Sequence, residues 1–145
     1  MNNKFEIKID VDDIELYQNG NNFGVIYIKI NDFLFPQNNW TDFIVIILNW
    51  WLCNIEAIKR KRRKTGKFCF MDGPYVVKLK KSENDKIKLK FCDHYKLVIE
   101  YEFSIDEIMK EILMKSSEII EFVKSNKWES KDIDSLNNSI ISNMK

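Results

Sequence analysis

Polar and apolar residues alternate from the start of the chain. Phe5, Ile7, Ile9 and Val11 fall on one side of an extended segment and Glu6, Lys8 and Asp10 on the other, the period of a half-buried strand. A short extended run over 14–17 leads to Asn19-Gly20, a dipeptide suited to the positive φ values of a tight hairpin turn, which Asn21 and Asn22 lengthen. The return strand over 24–31 directs Ile26, Ile28 and Ile30 inward and Val25, Tyr27 and Lys29 outward. An antiparallel hairpin is therefore predicted to open the fold.

After Pro36 the period changes. Asn39 is a suitable N-cap, and Asp42 three residues on places a carboxylate at the positive end of a helix dipole. The helix predicted over 40–58 carries Trp40, Phe43, the run from Ile44 through Leu48, Trp50, Trp51, Leu52, Ile55 and Ile58. Such a helix has almost no polar stripe and must be packed on more than one side, so it is expected at the centre of the core. A meander follows, over 68–71, 75–81, 86–91 and 96–103, with turns at Asp72-Gly73-Pro74, at 82–85 and at Asp93-His94. Alternation places Val77, Leu79, Ile87, Leu89 and Phe91 on one face. Lys78, Lys80, Lys86, Lys88 and Lys90 take the other, with Glu100 and Glu102 on the next strand as partners.

Ser104 and Glu107 form a capping box that opens a helix reaching to about residue 125. Ile105, Ile108, Met109, Ile112, Ile119, Ile120 and Val123 give it one apolar face. Trp128 is expected to plug the junction with a last helix over 131–143, capped by Ser130 and burying Ile133, Leu136 and Ile140. The predicted fold class is α+β: a largely antiparallel sheet of about six strands with a buried central helix and two C-terminal helices, in a single domain over 1–145.

Composition narrows the class further. With 145 residues, 45% hydrophobic and only 4 Gly and 2 Pro, the chain can bury an ordinary core, which excludes disorder and a disulfide scaffold. Cys53, Cys69 and Cys92 lack the Cys-x-x-Cys spacing of a zinc or redox site and read as buried reduced thiols. The opening Met-Asn-Asn-Lys-Phe-Glu is not a secretory signal, so a cytoplasmic address is expected. The one long apolar stretch, residues 43–53, contains Asn49 and falls short of the roughly 20 residues that span a bilayer, so no membrane association is expected.

The net charge of +1 conceals a segregated layout: residues 1–58 carry −5, residues 59–96 carry +10 and residues 97–145 carry −4. The sharpest local feature is the run over 59–67, where Lys59, Arg60, Lys61, Arg62, Arg63, Lys64 and Lys67 are basic. Mutual repulsion there favours a solvated helix end and loop. An acidic counterpart, Asp10, Asp12, Asp13 and Glu15, lacks the glycine of a calcium-binding loop and reads as a solvated turn or a docking patch, with Tyr17 beside it.

Chemistry is sparse. The single histidine, His94, sits in a turn beside Cys92 and Asp93, too little for a nucleophile with an oriented base. Four scattered glycines cannot form a phosphate-cradling loop. No catalytic residue, metal ligand or cofactor site is expected. Nucleic-acid binding draws support from the basic run and the lysine face, but a pI near 7.6 and a cation set of 20 Lys against 3 Arg argue against it. A protein partner suits the segregated charge better, with Asp10, Asp12, Asp13, Glu15, Tyr17, Lys59, Arg60, Arg62, Arg63 and Lys64 as candidate contacts. The oligomeric state stays open, because alternation does not show which strand edges are free.

The helix entry Phe35-Pro36-Gln37-Asn38-Asn39-Trp40-Thr41-Asp42-Phe43, the following Leu48-Asn49-Trp50-Trp51, and the segment from Ser104-Ile105-Asp106-Glu107 to Trp128 resemble small bacterial immunity proteins, the partners of polymorphic or contact-dependent toxins. The resemblance covers roughly half the chain and carries over no functional residue. It implies a cytoplasmic inhibitor that binds a toxin domain and blocks its active site. Many immunity proteins that face nucleases are distinctly acidic, and this chain is not.

Overall fold

A computed structural model describes residues 3–16, 22–71, 73–126 and 131–143. Tyr17, the Asn19-Gly20 turn, Trp128 and Ser130 lie outside the described residues, as do the side chains of Asp13 and Glu15. The first sheet is built on β3 (Asn22–Ile30), the strand richest in β-branched residues. Along one edge run β1 (Phe5–Ile9) and β2 (Glu15–Leu16), and along the other β4 (Phe33–Phe35) and β5 (Thr41–Phe43), all antiparallel to β3. Ile9 pairs with Ile26 and Glu15 with Phe23, so two residues of β3 between these pairs stand against five on the outer strand. The opposite edge repeats this, from Phe35 opposite Ile28 to Thr41 opposite Val25. Each outer strand thus bulges out once, the first as a 3₁₀ turn over Val11–Asp13, the second around the cis peptide Phe35-Pro36.

This pairing changes two expectations. Asn39 has φ 58°, and the chain then forms β5 rather than a helical turn, so α1 spans Ile44–Lys59 with Phe43 at its N-cap and no side-chain capping bond. Pairing to β3 outweighs the local cap preference. Val25, expected to point outward, is buried. Gly24, Val25 and Ile26 are buried in succession, so both faces of β3 are covered there, and the alternation rule holds only where one face meets water.

The second sheet is the predicted meander, ordered β6 (Thr65–Cys69), β7 (Tyr75–Lys81), β8 (Lys86–Asp93) and β9 (Lys96–Ser104), but β6 starts within the basic run rather than at 68, because Thr65, Gly66 and Lys67 pair with β7 instead of forming a solvated loop. The antiparallel α+β architecture is as expected, but the strands divide between two sheets. Phe33 and Phe35 join them: Phe33 meets Phe91 edge-on at 5.2 Å, and Phe35 meets Phe91 at 5.1 Å and Tyr75 at 5.7 Å.

Helix α1 packs against both sheets and against α2 (Ile105–Ser125) and α3 (Lys131–Asn143). Its fully buried side chains, Ile44, Val45, Ile47, Leu48, Trp51, Leu52, Ile55 and Ile58, share one broad face, and Trp50 and Cys53 on the opposite side are exposed, so the helix is not enclosed nearly all round as its composition suggested. Trp51, fully buried, donates its Nε1–H to the Cys69 carbonyl at 3.0 Å and lies against Phe68 and Phe70. The capping box at Ser104 forms as predicted, its Oγ accepting the Glu107 amide at 3.0 Å. The same helix fastens the first sheet. The Phe5 and Ile7 amides, on the outer edge of β1, donate to Glu107 Oε2 at 3.2 Å and Glu111 Oε2 at 2.7 Å. One contiguous apolar cluster draws on both sheets and all three helices.

Candidate docking surface

Register sets the geometry of the lysine face. Across the second sheet Lys67 lies opposite Lys78, Lys78 opposite Lys90, and Lys90 opposite Glu100. In the next row Thr65 faces Lys80, Lys80 faces Lys88, and Lys88 faces Glu102. Directly opposed side chains start about 5 Å apart at Cβ, where like charges repel. All five lysines are exposed, and among the described residues none is within ion-pair distance of a carboxylate. Glu102 instead accepts a hydrogen bond from Ser82 Oγ at 2.8 Å.

The face is concave beside β6. Asn54 Oδ1, from α1, accepts the outward amide of Lys67 at 3.1 Å, while its Nδ2 donates to the Trp50 carbonyl at 2.9 Å. The approach requires Gly66, where a Cβ would lie 3.0 Å from Asn54 Oδ1 and 3.3 Å from Ile58 Cδ1. The helix is thus held against the edge strand and stands above the sheet. Between them lies a solvent-open trough of about 850 Å³. Trp50, 40% exposed, forms its apolar side with Leu79 and Cys69; Arg63 and the lysines at 67, 78, 80 and 90 supply the cations. A second hollow of about 500 Å³ shares Lys80 and Lys90 and continues over Lys88 to Glu100 and Glu102.

The basic run divides. Lys59 Nζ pairs with Asp106 at 3.0 Å, and Arg60 Nε with Glu56 at 3.1 Å, so these two brace the end of α1. Lys64 closes the loop through its carbonyl, which accepts the Lys81 amide at 2.8 Å. Arg62 and Arg63 are exposed, and of the pair only Arg63 lines the trough. The acidic candidates sit elsewhere, on the edge of the first sheet, where Asp10 Oδ1 caps the 3₁₀ turn by accepting the Asp12 amide at 3.2 Å. The structure therefore does not unite the acidic and basic candidates in one site. Trp50 and Asn54 are absent from the sequence-level candidates. Their signal was a polar Asn one turn after a Trp in an otherwise apolar helix, which marks its surface stripe.

The Cys92–His94 triplet does not assemble into a dyad. Cys92 is buried with its thiol toward the Lys90 carbonyl at 3.6 Å, and His94 Nδ1 lies 2.6 Å from Asp93 Oδ1 on an exposed turn. Of the three cysteines expected to be buried, Cys92 alone is: Cys53 lies on the exposed side of α1 and Cys69 is partly exposed on the edge strand β6. Among the described residues no three His, Cys, Asp or Glu side chains are grouped to hold a metal, and no helix is long and apolar enough to cross a membrane. Comparison with protein families, curated proteins and solved structures returns no match.

Proposed function

We propose that this chain is a non-enzymatic binding module that docks onto a protein partner, concretely an inhibitor of the immunity type that seats on a toxin domain and blocks it in the cytoplasm. The observation that carries the reading is the pair of lysine rows on the second sheet. Opposed like charges weaken a sheet, and these rows have no internal counter-charge within ion-pair reach among the described residues. A partner of opposite sign relieves that repulsion on docking and is steered toward the face before contact.

Co-expression tests the reading. Each gene flanking the one for this chain is expressed in a host cell with and without it. One neighbour is expected to arrest growth, this chain to restore it, and the two products to copurify in fixed ratio. Arrest that the chain does not relieve, or the absence of any toxic neighbour, overturns the reading.

A further inference from the structure

We infer that the docking surface is the trough between Trp50 and the lysine rows, and that its occupant is an extended acidic protein segment. This deepens the binding reading above by naming the surface and the partner's chemistry. Lys59 and Arg60 are already held by Asp106 and Glu56; of the region's cations with no carboxylate in ion-pair reach among the described residues, Arg63 and the strand lysines gather around one concavity, while Lys61, Arg62 and Lys64 lie outside its lining.

Spacing selects the kind of anion. Lys78 and Lys80 are alternate residues on β7, and Lys88 and Lys90 on β8, so their stems repeat every 6.6–6.8 Å or so along the strands. An extended peptide with Asp or Glu at every second position repeats at the same interval. Laid along β7 and β8, it sets a carboxylate over each lysine, with the intervening side chains turned away from the sheet.

A nucleic acid fits less well. Single-strand binding relies on successive aromatic platforms, whereas the trough offers Trp50 alone, and base-edge readout favours Arg, of which the trough holds only Arg63. Both lysine rows end on glutamates, Glu100 and Glu102. These repel any anion laid over them, carboxylate or phosphate, and confine the occupant to the lysine ends of the rows.

The test uses two fluorescent peptides of about ten residues, one alternating Glu and Ser and one with the same residues in two blocks, together with an oligothymidine of equal charge. Anisotropy is read at low and near-physiological salt. The alternating peptide is expected to bind best, and the double variant Lys78→Gln/Lys90→Gln to weaken it by roughly tenfold or more. Lys110→Gln, an exposed position on α2, should leave binding unchanged. Because the double variant removes opposed like charges, it is expected to fold, which its Tm checks. Tighter binding of the oligothymidine assigns the trough to nucleic acid and overturns the inference; so does an equal effect of Lys110→Gln, equal binding of the blocked peptide, or no binding at all. If a toxic neighbour is neutralised equally by the double variant, the inference falls and the binding reading stands. If no neighbour is toxic and the alternating peptide still binds, the reverse holds.

Discussion

Asp42 offers the most direct test of how this fold is held. Its side chain is 1% exposed and sits among backbone and indole donors. Oδ1 accepts the Phe43 amide at 2.8 Å, and Oδ2 accepts both Trp40 Nε1 and the Met71 amide, each at 3.1 Å. The last bond crosses 29 residues and ties the start of α1 to the loop after β6. Asp42→Ala removes the acceptors and strands the donors. Each buried donor left unpaired costs about 1–3 kcal/mol, but Met71 is half exposed and Trp40 partly so, which lets water recover part of that. The expected loss is therefore about 3–5 kcal/mol, a large share of the 5–15 kcal/mol or so of a typical domain. Asp42→Asn can keep its oxygen toward the two Oδ2 donors and lose one bond, costing about 1–3 kcal/mol. Urea unfolding followed by far-ultraviolet circular dichroism measures both, and a cycle with Trp40→Phe should return a coupling of about 1 kcal/mol. A loss below about 1 kcal/mol for Asp42→Ala would refute the reasoning, since the donors would then be satisfied without the carboxylate.

Adjacent tryptophans should behave differently: Trp51→Ala, in the core, is expected to cost about 3–5 kcal/mol and Trp50→Ala far less, as thermal unfolding would show. Glu111→Ala orphans the Ile7 amide and should cost about 1–3 kcal/mol, with faster hydrogen exchange at Ile7; Glu111→Gln, which keeps an acceptor, should restore most of the protection. Gly66→Ala should lower the Tm because Asn54 must give way, and pairing it with Asn54→Ala should recover part of the loss. Lys78→Gln should not destabilise the fold, and should weaken the dependence of Tm on salt that the opposed lysines impose.

Within the second sheet β7 and β8 were legible residue by residue, because they have one dry and one wet face and every side chain declares its side; β6 was not, since the basic run hid its start at Thr65. Val77, Leu79, Ile87, Leu89 and Phe91 are buried as the alternation requires, and the lysines between them are not. The first sheet was less so. Around Val25 and Asp42 the chain is covered from several directions, and period-two patterning carries no information there. The cap at Asn39 failed because the rule weighs only local hydrogen bonds, whereas Thr41–Phe43 finds partners on β3. The lysine face could be foreseen, but not the trough: its depth depends on which turn of α1 stands over β6, a tertiary relation that spacing along one element does not encode. Nor does a run of like charges reveal which members will be neutralised, and Lys59 and Arg60 could not be told from Arg63 before Asp106 and Glu56 were placed.

The carboxylates of Glu107 and Glu111 on the edge of β1 bear on the order in which the protein can be completed. They take the place of a neighbouring strand, but lie 102 and 104 residues from the amides they satisfy. On a ribosome the β1–β3 pair is available once Ile30 has emerged, and its outer edge remains open until Glu111 follows. At about 5–20 residues per second that interval is roughly 4–16 s. An unpaired edge invites another chain to add to it, so the nascent hairpin is exposed to pairing with its neighbours on a polysome. Once α2 has docked, the same edge is closed. Truncation before Glu111 should therefore yield an aggregating fragment, and the second half of the chain acts on the first as its own chaperone.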